Sequence, residues 1–175
     1  VPIALFLPLR ADIERLALAS YFAQAAEVLS QEDLPNPELL SLLLNSLHVL
    51  CAGTVPEAQV KAVFELRSAC IAGYTPDLSG CCQCGREEAD RFDILAGRLE
   101  CADHRSPDSA GIRMPLTAGI LAAMRYICFC DPKRLFSFTL GEDSLAALGG
   151  ITESYLTTQL ERGFSALDFY KSLLI

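Results

Sequence analysis

The chain has no excess of positive charge. Its 175 residues carry 14 Lys and Arg against 22 Asp and Glu, a net charge of −8. That weighs against a domain built mainly to hold nucleic acid, because phosphate contacts supply most of such affinity. No apolar stretch is long enough to span a bilayer, so no membrane role is expected. The opening run VPIALFLPLR has neither the basic segment nor the small-residue cleavage pattern of a secretory signal. A cytoplasmic setting is expected, where thiols stay reduced. There is no G-x-S-x-G, no H-E-x-x-H and no phosphate-cradling glycine loop, and hence no nucleophile–base constellation. A non-enzymatic role is therefore expected. Internal repeats and low-complexity segments are also missing.

Apolar residues, by contrast, are plentiful. At 51% hydrophobic residues the chain can bury a sizeable core. Residues 1–10 read as a strand, with Ile3, Leu5 and Leu7 alternating with smaller residues. Helical spacing then takes over. ADIERLALASYFAQAAEVLS places Leu18, Phe22, Ala25 and Leu29 on one face, with Asp12 and Glu14 near the positive end of the helix dipole. Asn36 and Pro37 suit a cap and first position for the next helix, PELLSLLLNSLHVLCAG. Its leucines fall on nearly all sides, which predicts a helix in the middle of the core. Gly53 should stop it. A third helix, PEAQVKAVFELRSACIAGY, aligns Val60, Val63, Phe64, Cys70 and Ile71. After residue 114 the helical pattern returns in PLTAGILAAMRYICF, in EDSLAALGGITESYLTTQLERGF with an expected break at Gly149–Gly150, and in SALDFYKSLLI.

Between these halves lies CCQCGREEADRFDILAGRLECADH, residues 81–104. Cys81 and Cys84 form C-x2-C, and Cys101 and His104 form C-x2-H. RFDIL and RLEC read as a hairpin turning at Ala96–Gly97, which would return the second pair to the first. Three thiolates and an imidazole in this arrangement match a tetrahedral structural Zn²⁺ site, and four protein ligands leave no open position for a catalytic water. Gly85 after Cys84 can take the positive φ of a metal knuckle. The alternative is an unmetallated loop with His104 as a surface residue. Cys82 would need a tighter bite and stays outside the cage. Cys51, Cys70, Cys128 and Cys130 lie on helical patterns, where a core role is the default. His48 reads as a core or boundary histidine. Eight of the basic residues fall in residues 81–134, so a local basic surface is expected there. The fold class expected is all-α: a helical domain with a small β-rich zinc knuckle inserted at about residues 78–107, between the third and fourth helices.

Several blocks resemble the RecO family of bacterial recombination mediators: LRADIERLALASYFAQAAE, NPELLSLLLNSL, FELRSACIAGYTPDLSGCCQCG and YLTTQLERGFSALDFYKSL. The resemblance runs from about Leu9 to Leu174. It implies a helical domain with a zinc-binding insertion at residues 9–175, with residues 1–8 as the exit strand of an absent N-terminal OB-fold domain. It implies a DNA repair role that is not enzymatic: annealing strands and, with RecR, loading recombinase onto DNA coated by single-stranded DNA-binding protein. It implies docking of that protein's acidic C-terminal tail on the helical domain, with DNA held mainly by the OB fold. The family's usual fourth metal ligand is cysteine; here it is His104, which Zn²⁺ also accepts.

For the tail, the expected site has Phe64 as a groove wall and Lys61, Arg67 or Arg125 as charge partners. Arg67 lies beside the apolar stripe of the third helix, where pairing with an acidic residue of a neighbouring helix is the alternative. Arg125 interrupts the otherwise apolar ILAAMRYICF. A different class of function, a zinc-stabilised cysteine redox sensor using Cys82 and its neighbours, or a protein–protein adaptor, is the competing expectation.

Overall fold

A computed structural model describes residues 6–31, 33–104 and 111–174. A 3-10 helix at Leu7–Ala11 leads into α1 (Ile13–Leu29), α2 (Pro37–Ala52) and α3 (Glu57–Ile71). Strands β1 (Asp77–Cys81), β2 (Arg91–Asp93), β3 (Arg98–Glu100) and β4 (Arg113–Pro115) follow. The chain then forms α4 (Ala118–Phe129), a 3-10 turn at Pro132–Arg134, α5 (Glu142–Gln159) and α6 (Ser165–Leu173).

Local chemistry sets several boundaries, those at Asn36 and Gly53 as expected. The Asp12 carboxylate accepts from the N–H groups of Glu14 and Arg15, capping α1. The Asn36 side chain accepts from Leu39 N–H, with Pro37 in the first turn of α2. Gly53 ends α2 at φ 66°, a left-handed conformation that favours glycine. Two boundaries differ. Residues 1–5 of the expected exit strand lie outside the described residues, and Leu7–Ala11 are helical instead, with Pro8 in the first turn where its missing N–H is harmless. Helix α5 runs unbroken through Gly149–Gly150. Each glycine disfavours helix by roughly 1 kcal/mol. Burial of Leu145, Leu148, Ile151, Tyr155 and Leu156 on the same helix outweighs that.

The central helix is α3 rather than the leucine-rich α2. Every residue from Gln59 to Leu66 is buried, as are Ser68 and Ala69. On α2 only Leu39, Leu42, Ser46 and Leu50 are buried, while Leu40 and Leu44 face outward. Helix α1 covers one side of α3, where Phe22 stacks on Phe64 with ring centroids 4.3 Å apart. Helix α5 covers another. There an ion network is enclosed: Lys61 Nζ lies 2.8 Å from Glu65 Oε1 and 2.7 Å from Glu153 Oε2. Tyr21 and Thr152 donate their hydroxyls to the two Glu65 oxygens, at 2.9 and 2.7 Å.

The all-α expectation is corrected by the sheet. With 59% of residues helical and 10% in strands, the architecture is a helical domain joined to a four-stranded mixed sheet. The strand order is β1-β3-β2-β4. The expected hairpin β2–β3 is its centre, β1 adds parallel to β3, and β4 adds antiparallel to β2. Nor is the sheet a satellite. Leu78, Phe92, Ile94 and Leu99 are buried in the same core as the helices. Phe92 meets the Tyr155 ring of α5 edge-on at 5.4 Å, and Gln159 donates to the carbonyls of Ile94 and Leu95. Gly97 (φ 63°) turns the hairpin so close to α5 that a Cβ there would stand 2.8 Å from the Tyr155 hydroxyl. The β1 and β4 pairings escape sequence reading because their partners lie outside a hairpin, and strands of five and three residues carry almost no period.

Candidate metal centre

The end of β1 and the loop after β3 are brought side by side by the β1–β3 pairing. The backbone of residues 80–86 doubles back tightly: Gly85 N–H donates to Cys81 O and Cys81 N–H to Arg86 O, each at 2.8 Å. Gly85 takes φ 72°, as its place after Cys84 predicts. Gly80 lets this turn approach its own strand, since a Cβ there would lie 2.6 Å from Gly85 O. Cys82 N–H donates to Leu99 O, binding the turn to β3. On the other side, His104 N–H donates to Cys101 O at 3.1 Å, forming the second turn. Arg86 bridges the two turns by pairing with Asp103 at 2.8 Å.

The result gathers one ligand atom each from Cys81, Cys84, Cys101 and His104, all within 4.8 Å of one another. The Cys84 and Cys101 sulfurs are 3.8 Å apart, and the Cys101 sulfur is 3.3 Å from His104 Nδ1. Two thiolates bound at ~2.3 Å to a tetrahedral ion stand about 3.8 Å apart, so this spacing fits a shared metal. Cys81 and Cys101 are buried; Cys84 and His104 are exposed. The backbone N–H of Gln83, aided by that of Cys84, holds the Cys81 thiol down at about 6. Such amides stabilise thiolate, the form that ligates metal. Burial pushes the Cys101 thiol up. A bound ion would supply the compensating charge. The donor set and the geometry therefore fit a structural metal, held by four protein ligands. Residues 105–107 of the expected knuckle lie outside the described residues.

Cys82 is exposed and is not among the four gathered ligands, and partial desolvation pushes its thiol up. A thiol pushed up in this way weighs against a redox sensor built on Cys82. Part of the expected basic surface is engaged within the domain, while Arg98, Lys133 and Arg134 are exposed. Arg86 pairs with Asp103, and Arg113 lies 2.8 Å from Glu100 and 3.6 Å from Asp93. Arg125 reaches from α4 to the carbonyls of Leu78, Ser79 and Glu87, pinning the knuckle to the helices. Sequence spacing gives no hint of that carbonyl-binding role.

The structure does not bring the four expected peptide-binding residues to one groove. Phe64 has no exposed surface and lies in the core against Phe22. Lys61 is buried in the ion network. Arg125 lines a shallow cleft with Leu78 and Phe129. Of the four, Arg67 lines a mixed cavity of about 250 Å³, with Leu42, Ile71, Pro132 and Leu135 on its apolar side and Glu38 and Asn45 on its polar side, and donates to the carbonyls of Ile127 and Cys128 at 3.1 and 2.6 Å. Its partners are thus backbone oxygens and not the acidic side chain weighed above. His48 is exposed. Among the described residues no helix is long and apolar enough to cross a membrane.

The fold and site define a class: a helical domain whose short mixed sheet carries a three-cysteine, one-histidine cluster that could hold a metal ion. Residues 10–168 match the family described as recombination protein O C terminal, and the chain belongs to that family. It is 32% identical over 170 residues to the DNA repair protein RecO of Acetivibrio thermocellus, covering 96% of this chain and 67% of that relative. It is 26% identical to the RecO of Alkaliphilus metalliredigens, covering 98% of this chain and 70% of the relative. The RecO of a Roseiflexus species is 29% identical, with 96% of this chain and 59% of the relative covered.

Proposed function

We propose that this chain is the helical, zinc-binding part of a DNA repair and recombination mediator. It acts in the cytoplasm without catalysing a reaction and supports strand annealing and recombinase loading. Its proposed partners are RecR and the acidic C-terminal tail of single-stranded DNA-binding protein. DNA itself is assigned mainly to an N-terminal OB-fold domain, in keeping with the net charge of −8 here. Family membership and the relatives' names support the repair role.

The observation that carries the zinc assignment is the convergence of Cys81, Cys84, Cys101 and His104 within 4.8 Å. Zn²⁺ accepts this sulfur and nitrogen set in tetrahedral geometry and does no redox chemistry, so its role is to hold the two turns together. Elemental analysis of protein purified without chelator should give one zinc per chain; protein without zinc refutes the assignment.

The acidic tail is assigned to the cavity at Arg67. Leu42, Ile71, Pro132 and Leu135 give it an apolar side, Glu38, Ser41 and Asn45 a polar one, and the Arg67 guanidinium offers charge-assisted donors to a terminal carboxylate. Titration with such a peptide should show binding that weakens with salt. Arg67→Ala should lower affinity by about 1–3 kcal/mol, the range for a charge-assisted hydrogen bond. Because Arg67 also holds backbone carbonyls, Asn45→Glu is the second variant: Asn45 is exposed on the cavity wall, and a new negative charge there should repel the peptide without touching the core. Equal binding by both variants and the parent, or equal binding of a scrambled peptide, refutes the assignment.

A further inference from the structure

Away from the metal centre, two helical cysteines meet. Cys70, in the last turn of α3, and Cys128, in the last turn of α4, place their sulfurs 3.6 Å apart although they are 58 positions apart in sequence. That is van der Waals contact for sulfur and requires only a small approach to bond. Cys128 is buried and Cys70 is half-buried, so a small oxidant has a path to Cys70. The two thiols are not equivalent. Contact with Cys128, the Thr75 hydroxyl and the charge of Arg67 hold the Cys70 thiol below its ordinary value. Contact with Cys70 and burial push the Cys128 thiol up. One partly exposed thiol in contact with one buried thiol is the arrangement of an attacking and a resolving cysteine.

We propose that Cys70 and Cys128 are a reversible modification site, at which reaction with a hydroperoxide closes a disulfide between α3 and α4. The Cys70 thiolate attacks one peroxide oxygen. The O–O bond breaks, the leaving hydroxide takes a proton to become water, and Cys70 becomes a sulfenic acid. The Cys128 sulfur then attacks the Cys70 sulfur. The S–O bond breaks, and hydroxide leaves with the Cys128 proton as water. The two sulfurs together lose two electrons, and the peroxide gains them. A low-molecular-weight thiol reverses the bridge by exchange. Cys70 stands where the chain leaves the helical layer for the sheet, and Cys128 stands at the far end of α4, the helix that follows the sheet. The bridge therefore clamps the base of the metal-bearing lobe without involving the metal ligands.

The test is graded hydrogen peroxide on the zinc-loaded chain, followed by alkylation and combined cleavage after Arg and before Asp. These cuts separate Cys70 (in 68–76) from Cys81 and release Cys128 in 126–130. The expected product is a linked 68–76/126–130 pair, two hydrogens lighter than the sum and lost on reduction, with fragmentation placing the bond at Cys128 and not Cys130. In Cys128→Ser the sulfenic acid cannot resolve, and dimedone should label Cys70. No linked pair at doses that oxidise other cysteines, a bond to Cys130, or dimedone label absent from Cys70 in folded Cys128→Ser would each overturn the proposal. If Cys128→Ser does not fold, the wild-type mapping decides alone.

Discussion

Lys61→Met removes the cation from the centre of the domain while keeping the length of the side chain. In the parent, burial works against the Lys61 charge, but Glu65 and Glu153 outweigh it and hold its pKa up. Burial pushes Glu65 up, and Lys61 and Thr152 only partly offset that. Without Lys61, Glu65 has no exposed surface and no countercharge within reach, with only the Tyr21 and Thr152 hydroxyls left to it. Removing one partner of a buried pair costs about 3–5 kcal/mol. For a chain of this size that lowers Tm by about 6–20 °C, at roughly 2–4 °C per kcal/mol. It is a large share of the ~5–15 kcal/mol that stabilises a typical domain. Urea unfolding followed by far-UV circular dichroism on zinc-loaded protein measures the loss. The pH dependence has a definite sign. A carboxyl whose folded pKa lies above its unfolded value takes up a proton on folding, so its contribution improves as pH falls through the folded value. The Lys61→Met deficit should therefore shrink between neutral pH and the unfolded carboxylate range. The double variant Lys61→Met/Glu65→Gln should recover most of the loss, because no buried charge remains unpaired. A loss under about 1 kcal/mol, a deficit that grows as pH falls, or additive losses in the double variant would refute this account of the network.

Cys84→Ser should abolish stoichiometric zinc and loosen both turns while leaving most far-UV helicity, because the sheet residues that share the helical core, Leu78, Phe92, Ile94 and Leu99, are not metal ligands; collapse of the helical signal would show that the turns and the shared core fold as one unit. Gly80→Ala should weaken zinc retention against a competing chelator by tenfold or more, since the new Cβ would stand 2.6 Å from Gly85 O and 2.9 Å from Arg86 O. Parent-like retention would show that the turn can open without moving Cys81.

Much of this protein is legible in its sequence because the causes are local. Capping at Asp12 and Asn36, the stop at Gly53, the hairpin ending at Gly97 and the paired Cys–x2–Cys and Cys–x2–His spacings depend on residues within a few positions of one another. The family resemblance was carried by the same short blocks, and the match over residues 10–168 agrees with it. Tertiary structure decided which helix lies at the centre. Leucines on all sides of α2 suggested burial, yet α3, with Lys61 and Glu65 in its middle, is the buried one, because its charges find partners on α5 that no local pattern reveals. The same holds for the sheet, whose outer strands exist only through partners far along the chain, and for Arg67 and Arg125, whose guanidiniums are satisfied by distant backbone carbonyls. Spacing specifies what a turn or a helix face presents; burial, charge pairing and strand addition are set by what the chain later folds against it.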